Sequence, residues 1–260
     1  MLSEGLLVEL NAGVLSLTLK RPEKRNVLDM ATRKILLASM KAHERSDDVR
    51  CVVISSEGSV FSGGADLRHI LSLTRSKARE YTKFVRSLLD YIEAYPKPTI
   101  GLVNGAAVGG GLELLLALDV VLATPNAKFG LPELNVGLIP GGGGSQRLPR
   151  FVGMRKAKEM IFSGSLISAE EAFAIGLVSR VVPEERLEEE ARRLCQQIIS
   201  KSPMALRQAK VAINRSFFTN LSEGLRCENA LYESVIASSE TKERIKDFLE
   251  NKKDRPRVGS

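Results

Sequence analysis

At 260 residues the chain is long enough to bury a full core, as one large domain or two small ones. Its 43% hydrophobic and 27% charged residues are ordinary for a soluble globular protein, and no apolar run approaches the roughly 18 residues of a membrane span. The net charge of +7 fits either a solvated basic surface or attraction of a phosphorylated ligand. With 5% aromatics, no Trp and no arginine-rich tract, it argues against a nucleic-acid stacking platform.

In chain order, the N-terminal MLSEGLLVEL lacks the basic region and apolar stretch of a secretory signal. Leu6–Leu10 and Val14–Leu19 are apolar runs split by Asn11-Ala12-Gly13, which predicts a hairpin. A charged loop follows over Arg21 to Asn26, opened by Pro22. Asp29 can cap a helix reaching about Ser46, with Ile35, Leu36, Ser39 and Met40 on one face. Cys51–Ser55 reads as a buried strand and Lys77 to Ala94 as a helix. Pro96-Lys97-Pro98 then breaks the helix before a strand at Thr99–Val103. Leu112–Leu118 is expected to be a buried helix, and Val120–Ala123 and Lys128–Gly130 short strands. From Glu184 onward the pattern turns almost wholly helical. Helices are expected from Pro203 to about Ser216, from Asn220 or Ser222 to about Ala237, and from Thr241 to Lys252. Alternating strands and helices followed by helices predict an α/β fold with a helical appendage. Residues 1–198 would form the core and hold the site, and 199–260 the helical region. The three cysteines, Cys51, Cys195 and Cys227, have no paired spacing, so reduced thiols in a reducing compartment are expected. That is the cytoplasm, or an organelle matrix if a transit segment has been removed.

The chemistry concentrates between Asn104 and Leu148. Glu113 follows Gly109-Gly110-Gly111 and lies among Leu112, Leu114, Leu115, Leu116 and Ala117. Glu133 stands between Gly130-Leu131-Pro132 and the run Gly141 to Gly144. Carboxylates are rare in apolar surroundings, and burial raises a carboxyl pKa toward the range a general acid or base needs. Three glycine segments, FSGGADL, GAAVGGG and IPGGGGS, could each present backbone N–H groups to a ligand. None is followed by GK[ST] and none carries a dinucleotide fingerprint, so phosphate cradles of those types are disfavoured. No GxSxG occurs, and the cysteines have no local catalytic signature. His43 and His69 lack a nucleophile at recognisable spacing. Both are read as surface residues, and no metal site is expected. Asp119 is read as structural and Arg147 as a brace of the third loop.

FSGGADL, NGAAVGGGLELLLALD and FGLPELNVGLIPGGGGSQRLPR resemble three signature blocks of the enoyl-CoA hydratase/isomerase (crotonase) family. KRPEKRNVL resembles its first loop, and GSLISAEEAFAIGLVSRVVP the segment after its core. The match runs in order through essentially the whole chain. The resemblance implies a spiral of ββα units, a helical C-terminal trimerisation region and acyl-CoA thioester substrates. Among hydratases it is nearest in look to 2-enoyl-CoA and methylglutaconyl-CoA hydratase-like members. It places oxyanion donors at the Gly63 and Gly110 N–H groups and catalytic carboxylates at Glu113 and Glu133. Arg25, Gly64, Ala65, Asp66 and Leu67 would lie along the CoA-bearing substrate, although a solvated loop rivals this role for Arg25 and helix capping rivals it for Asp66. No separate cofactor is implied, because coenzyme A is part of the substrate. A homo-oligomer, trimer or dimer of trimers, is expected, and no membrane partner. The implied reaction is hydration of a 2-enoyl-CoA. The alternatives are an enoyl-CoA isomerase, against which Glu113 counts, and an RNA-binding protein on the same fold. The latter would use Arg33, Lys34, Lys41 and Arg45 of the first long helix, a sparse set.

Overall fold

The computed structural model describes the backbone of residues 2–3 and 5–253. The chain divides into two compact units, Met1–Ile198 and Ile199–Ser260. The first unit holds ten strands: β1 (Leu2–Ser3), β2 (Leu6–Asn11), β3 (Val14–Leu19), β4 (Cys51–Ser56), β5 (Thr99–Val103), β6 (Ala106–Val108), β7 (Val120–Ala123), β8 (Lys128–Gly130), β9 (Ile167–Ser168) and β10 (Arg180–Val181). Its helices are α1 (Met30–His43), α2 (Leu67–Leu71), α3 (Arg75–Glu93), α4 (Gly110–Leu115), α5 (Gly144–Val152), α6 (Met154–Ser163), α7 (Ala169–Ala174) and α8 (Leu187–Ile199).

Seven strands form one sheet in the order β1-β2-β3-β4-β5-β7-β10. β1, β2 and β3 are antiparallel, and from β3 onward each neighbour is parallel. Ala12 and Gly13 both take positive φ, 46° and 82°, which suits the tight turn that returns β2 onto β3 with Asn11 opposite Val14. β4 is central, and Cys51, Val52, Val53 and Ile54 are all buried. Residues of both strand faces therefore have to be apolar, and the run does not alternate. A second sheet, β6-β8-β9, pairs β6 and β8 in parallel. It leads directly into the glycine-rich segments. Among the described residues no helix is long and apolar enough to cross a membrane.

Local chemistry accounts for most element ends. Asp29 caps α1 by accepting the Thr32 N–H at 2.8 Å, and the helix closes at His43. Thr74 caps α3, which starts at Arg75, two residues before the expected start at Lys77. α4 also starts earlier than the apolar run predicts, at Gly110, because the glycines themselves form its first turn. Leu116 to Leu118 continue in tightening turns closed by Ala117 N–H to Leu114 C=O and Leu118 N–H to Leu115 C=O. Helices α5 and α6 had no counterpart in the pattern reading. α5 begins inside the glycine run and carries Pro149, both poor helix signals.

The second unit is three helices: α9 (Pro203–Arg215), α10 (Leu221–Ile236) and α11 (Ser239–Lys253). Ser202 caps α9 through the Ala205 N–H, and Asn220 caps α10 through the Glu223 N–H. α9 and α10 contain no buried residue, and Ile213, Phe218, Leu221, Tyr232 and Phe248 are exposed.

Candidate active site

The loop after β4 is tied to β6 by a parallel bridge between Ser62 and Ala107. Ser62 N–H donates to Ala106 C=O at 3.0 Å, and Val108 N–H donates to Ser62 C=O at 2.9 Å. This pairing carries the Gly63-Gly64-Ala65 segment alongside the start of α4. Gly64 has φ +87°, and a Cβ there would lie 2.6 Å from Val108 O and 2.9 Å from Gly110 N. A Cβ on Gly110 would lie 3.4 Å from Ala65 N. The Ala65 and Gly110 amides are therefore neighbours. Gly110 opens its helix, so its N–H has no carbonyl one turn back to bond. Among the described residues neither the Ala65 nor the Gly110 N–H has a protein acceptor.

The Gly63 N–H is different. It donates to Arg25 C=O at 2.7 Å, which corrects the expectation that it would be free for a ligand. The cause lies in the first loop. Arg25 and Asn26 both adopt left-handed backbone, φ 53° and 49°. Asn26 is buried and holds this turn in place: its side-chain amide donates to Glu57 C=O and Val60 C=O, and its Oδ1 accepts the Arg21 N–H. Ser62 Oγ donates to Asn26 C=O, and Leu28 N–H donates to Gly64 C=O. The first loop thus takes up the Gly63 amide and leaves the Ala65 amide without an acceptor beside Gly110. Arg25 itself is exposed, with its Cβ beside Gly63. Asp66 caps α2, accepting the Arg68 and His69 N–H groups, and Leu67 and Leu71 are exposed.

Glu113 is 4% exposed. Its Oε1 accepts the Gly142 N–H at 2.7 Å and the Gly144 N–H at 2.9 Å, so the third glycine segment is a cradle for this carboxylate. Arg147 fastens that cradle to α3. It donates to Gly142 C=O at 3.0 Å and pairs with Asp90 and Glu93, each at 2.8 Å. Glu133 opens a 3-10 turn over Glu133–Val136, and its Oε1 would lie 3.2 Å from a Cβ on Gly109, the residue that precedes the free Gly110 amide. Its Oε2 is buried without a hydrogen-bond partner. Burial pushes the Glu133 carboxyl up to about 7, its own backbone N–H offsets part of this, and the charge of Glu113 adds to it. The four groups Ala65, Gly110, Glu113 and Glu133 therefore come together as two free amides beside two carboxyls, one cradled and one poised near neutrality.

Sequence reading missed Arg33 as a site residue. It was grouped with the surface cations of the first long helix, yet it is 2% exposed. Arg33 lies three residues before Leu36 and seven before Met40, both buried, so it falls on the apolar stripe of α1. That placement was the available signal. Asp119 is structural as expected, accepting the Thr99 N–H and hydroxyl. His43 and His69 are half-buried, and the His69 ring lies 5.6 Å from that of Tyr81.

The enoyl-CoA hydratase/isomerase family model matches residues 9–255. The chain belongs to this family. It is 38% identical over 255 residues to the mitochondrial methylglutaconyl-CoA hydratase of Mus musculus, covering 96% of this chain and 80% of that protein. It is 39% identical over 250 residues to a probable enoyl-CoA hydratase of Rhizobium meliloti, with 96% of each chain covered. The crystal structure of an enoyl-CoA hydratase from Bacillus anthracis superposes with a TM-score of 0.91 at 36% identity, covering 95% of this chain and 96% of that one. The crotonase-like α/β fold with its C-terminal helices is thereby established for this member.

Proposed function

We propose that this family member hydrates a 2-enoyl-CoA thioester to the 3-hydroxyacyl-CoA. The observation that carries the reading is the pair of unpartnered amides, Ala65 and Gly110, set beside Glu113 and Glu133. In this reading the thioester oxygen binds between the two N–H groups and gains negative charge as the enolate develops. Preorganised backbone donors stabilise that charge without reorganising. Glu113, oriented by Gly142 and Gly144, holds and activates the water, whose oxygen bonds to the β-carbon. Glu133 delivers a proton to the α-carbon. Glu113 takes the proton that the attacking water loses, and exchange with solvent then returns Glu113 to the carboxylate and Glu133 to the acid, so the net addition is one water across the double bond. Ala65 replaces Gly63 as donor. Arg25, Gly64, Ala65, Asp66 and Leu67 lie in the first loop and the glycine loop beside it and would flank the CoA portion.

Isomerisation is the second reading, since it needs the oxyanion donors and one proton-shuttling carboxylate but no water. The cradle built around Glu113 favours hydration. RNA binding along α1 loses Arg33, which is buried. Steady-state kinetics on a panel of straight, branched and glutaconyl-type enoyl-CoA thioesters tests the proposal. Hydration of at least one is expected. A protein that binds these thioesters yet neither hydrates nor isomerises any of them would overturn it. The relatives include a methylglutaconyl-CoA hydratase and a probable enoyl-CoA hydratase, so the panel must span branched and straight thioesters.

We also propose that the exposed apolar residues of α9 to α11 pack against further copies of the chain, as a trimer or dimer of trimers. A head-to-tail interface whose rotation closes gives such rings. Sedimentation at micromolar concentration should show a species of three or six chains, and a monomer would sink the idea.

A further inference from the structure

We infer that Arg33 is a positioning residue that fixes a positive charge behind the oxyanion hole, so that the enolate oxygen is held by two amides backed by a guanidinium. This rests on the hydratase reading for its chemistry and on the geometry around Gly110 for its place. The Arg33 Nη2 atom lies 3.1 Å from the point a Cβ on Gly110 would occupy. Its Nε donates to Leu28 C=O at 2.7 Å, and the Leu28 N–H in turn donates to Gly64 C=O at 2.8 Å. One residue, Leu28, therefore links the guanidinium through its carbonyl to the Gly64–Ala65 loop through its N–H.

The charge is not neutralised by a direct carboxylate partner. Among the described residues Arg33 makes no ion pair; its side chain donates to the Leu28 carbonyl, and Tyr81 of α3 is a near neighbour. The acidic groups that face it are more distant or already engaged. Asp29 caps α1 and pairs with Arg21. Glu113 accepts two glycine amides. Asp66, whose charge is felt at Tyr81, caps α2. A buried guanidinium bonded to neutral groups is costly to keep, and Leu or Met would fill the same stripe position at no such cost. What the guanidinium supplies, and an apolar side chain cannot, is a fixed field at the point where negative charge develops. Its planar fork, fixed by the Nε bond to Leu28 C=O, holds that field in one orientation.

The test uses Arg33→Met, Arg33→Lys and Arg33→Gln, each in the full chain. The first readout is the red shift in absorption of a push–pull aryl-enoyl-CoA on binding, which reports polarisation of the thioester carbonyl and needs no turnover. The second is the split between kcat and KM for the best substrate of the panel. Arg33→Met should reduce the red shift and lower kcat by roughly 10- to 10²-fold with little change in KM, as for loss of one electrostatic contribution at the oxyanion. Arg33→Lys should recover most of both. Arg33→Gln should behave as Met does, and stands in for it if Met does not fold. A red shift and kcat in the neutral variants equal to wild type would overturn the proposal. So would a Lys variant no better than the neutral ones, since shape rather than charge would then be at work. If wild type turns over none of the panel, the hydratase reading fails, while the red shift still decides the role of Arg33.

Discussion

Glu133→Gln should lower kcat for hydration by about 10²-fold or more and stop exchange of the substrate α-proton with solvent. The amide keeps the size and the polar end of the side chain but can neither give nor accept the proton. Because burial lifts Glu133 to about 7, it is partly protonated at neutral pH, which suits a group that must donate and later recover a proton. In the hydration direction the protonated form is the active one. The wild-type kcat/KM should therefore fall as pH rises through about 7, and this limb should vanish in the Gln variant. Glu113→Gln separates the two enzymatic readings. A hydratase should lose a comparable factor, whereas an isomerase should be little affected. The double variant should be only slightly worse than the worse single one, because both groups act on one reaction unit. A mild Glu133→Gln effect would remove the proton-transfer role.

The same substitution has a stability consequence of opposite sign. The folded-state pKa of Glu133 lies above its ordinary value of 4.5, so the folded protein holds this proton more tightly than the unfolded chain. Below about pH 4.5 both states are protonated and nothing is lost. Between there and about 7 stability falls with rising pH, and above 7 the full penalty is present. Discounted for partial solvent access, that penalty is roughly 1–2 kcal/mol. Thermal melts should therefore find Glu133→Gln more stable than wild type at pH 8 and nearly equal to it at pH 4. Activity and stability thus pull against each other at one carboxyl.

Much of this site was legible in residue order. A glutamate inside Leu112–Ala117 has to be buried with some purpose, and glycine runs on either side of two such glutamates point to amides near a ligand. The hairpin at Asn11-Ala12-Gly13 and the caps at Asp29 and Asn220 were legible because each depends on a few adjacent residues. What stayed hidden depends on distant pairing. Whether Gly63 or Ala65 offers a free N–H is decided by the left-handed turn at Arg25-Asn26, which meets the glycine loop only in the folded chain. Helix α5 starts among glycines because Gly142 and Gly144 are held on Glu113 and Arg147 is anchored on α3. Intrinsic propensity opposes a helix there, and tertiary bonds override it. Of the second sheet only β8 is legible: β6 lies inside the glycine segment GAAVGGG, whose pattern reads as a loop, and β9 has only two residues.

Gly64→Ala should lower kcat/KM by about 10²-fold or more, as when an oxyanion donor is lost. Two effects act together. The backbone at φ +87° disfavours any L side chain, by roughly 1–2 kcal/mol. The added Cβ would also stand 2.6 Å from Val108 O and 2.9 Å from Gly110 N, and both are backbone atoms that cannot swing aside. The loop and the start of α4 must therefore part, and with them the Ala65 and Gly110 amides that would share one oxygen. Gly153→Ala isolates the first effect. Gly153 has a similar φ of +79°, but a Cβ there meets nothing within 4 Å. With its ψ of 159° Gly153 lies in a region essentially restricted to glycine, so that variant should lose about 1–3 kcal/mol in a denaturant melt and keep its kcat/KM. If Gly64→Ala retains activity while showing the same melt as Gly153→Ala, then close approach of these two amides is not what holds the reacting oxygen, and the donor pair must be sought elsewhere. If activity collapses in Gly64→Ala alone while the two variants melt alike, general loss of stability is excluded as the cause and local displacement of the donors remains.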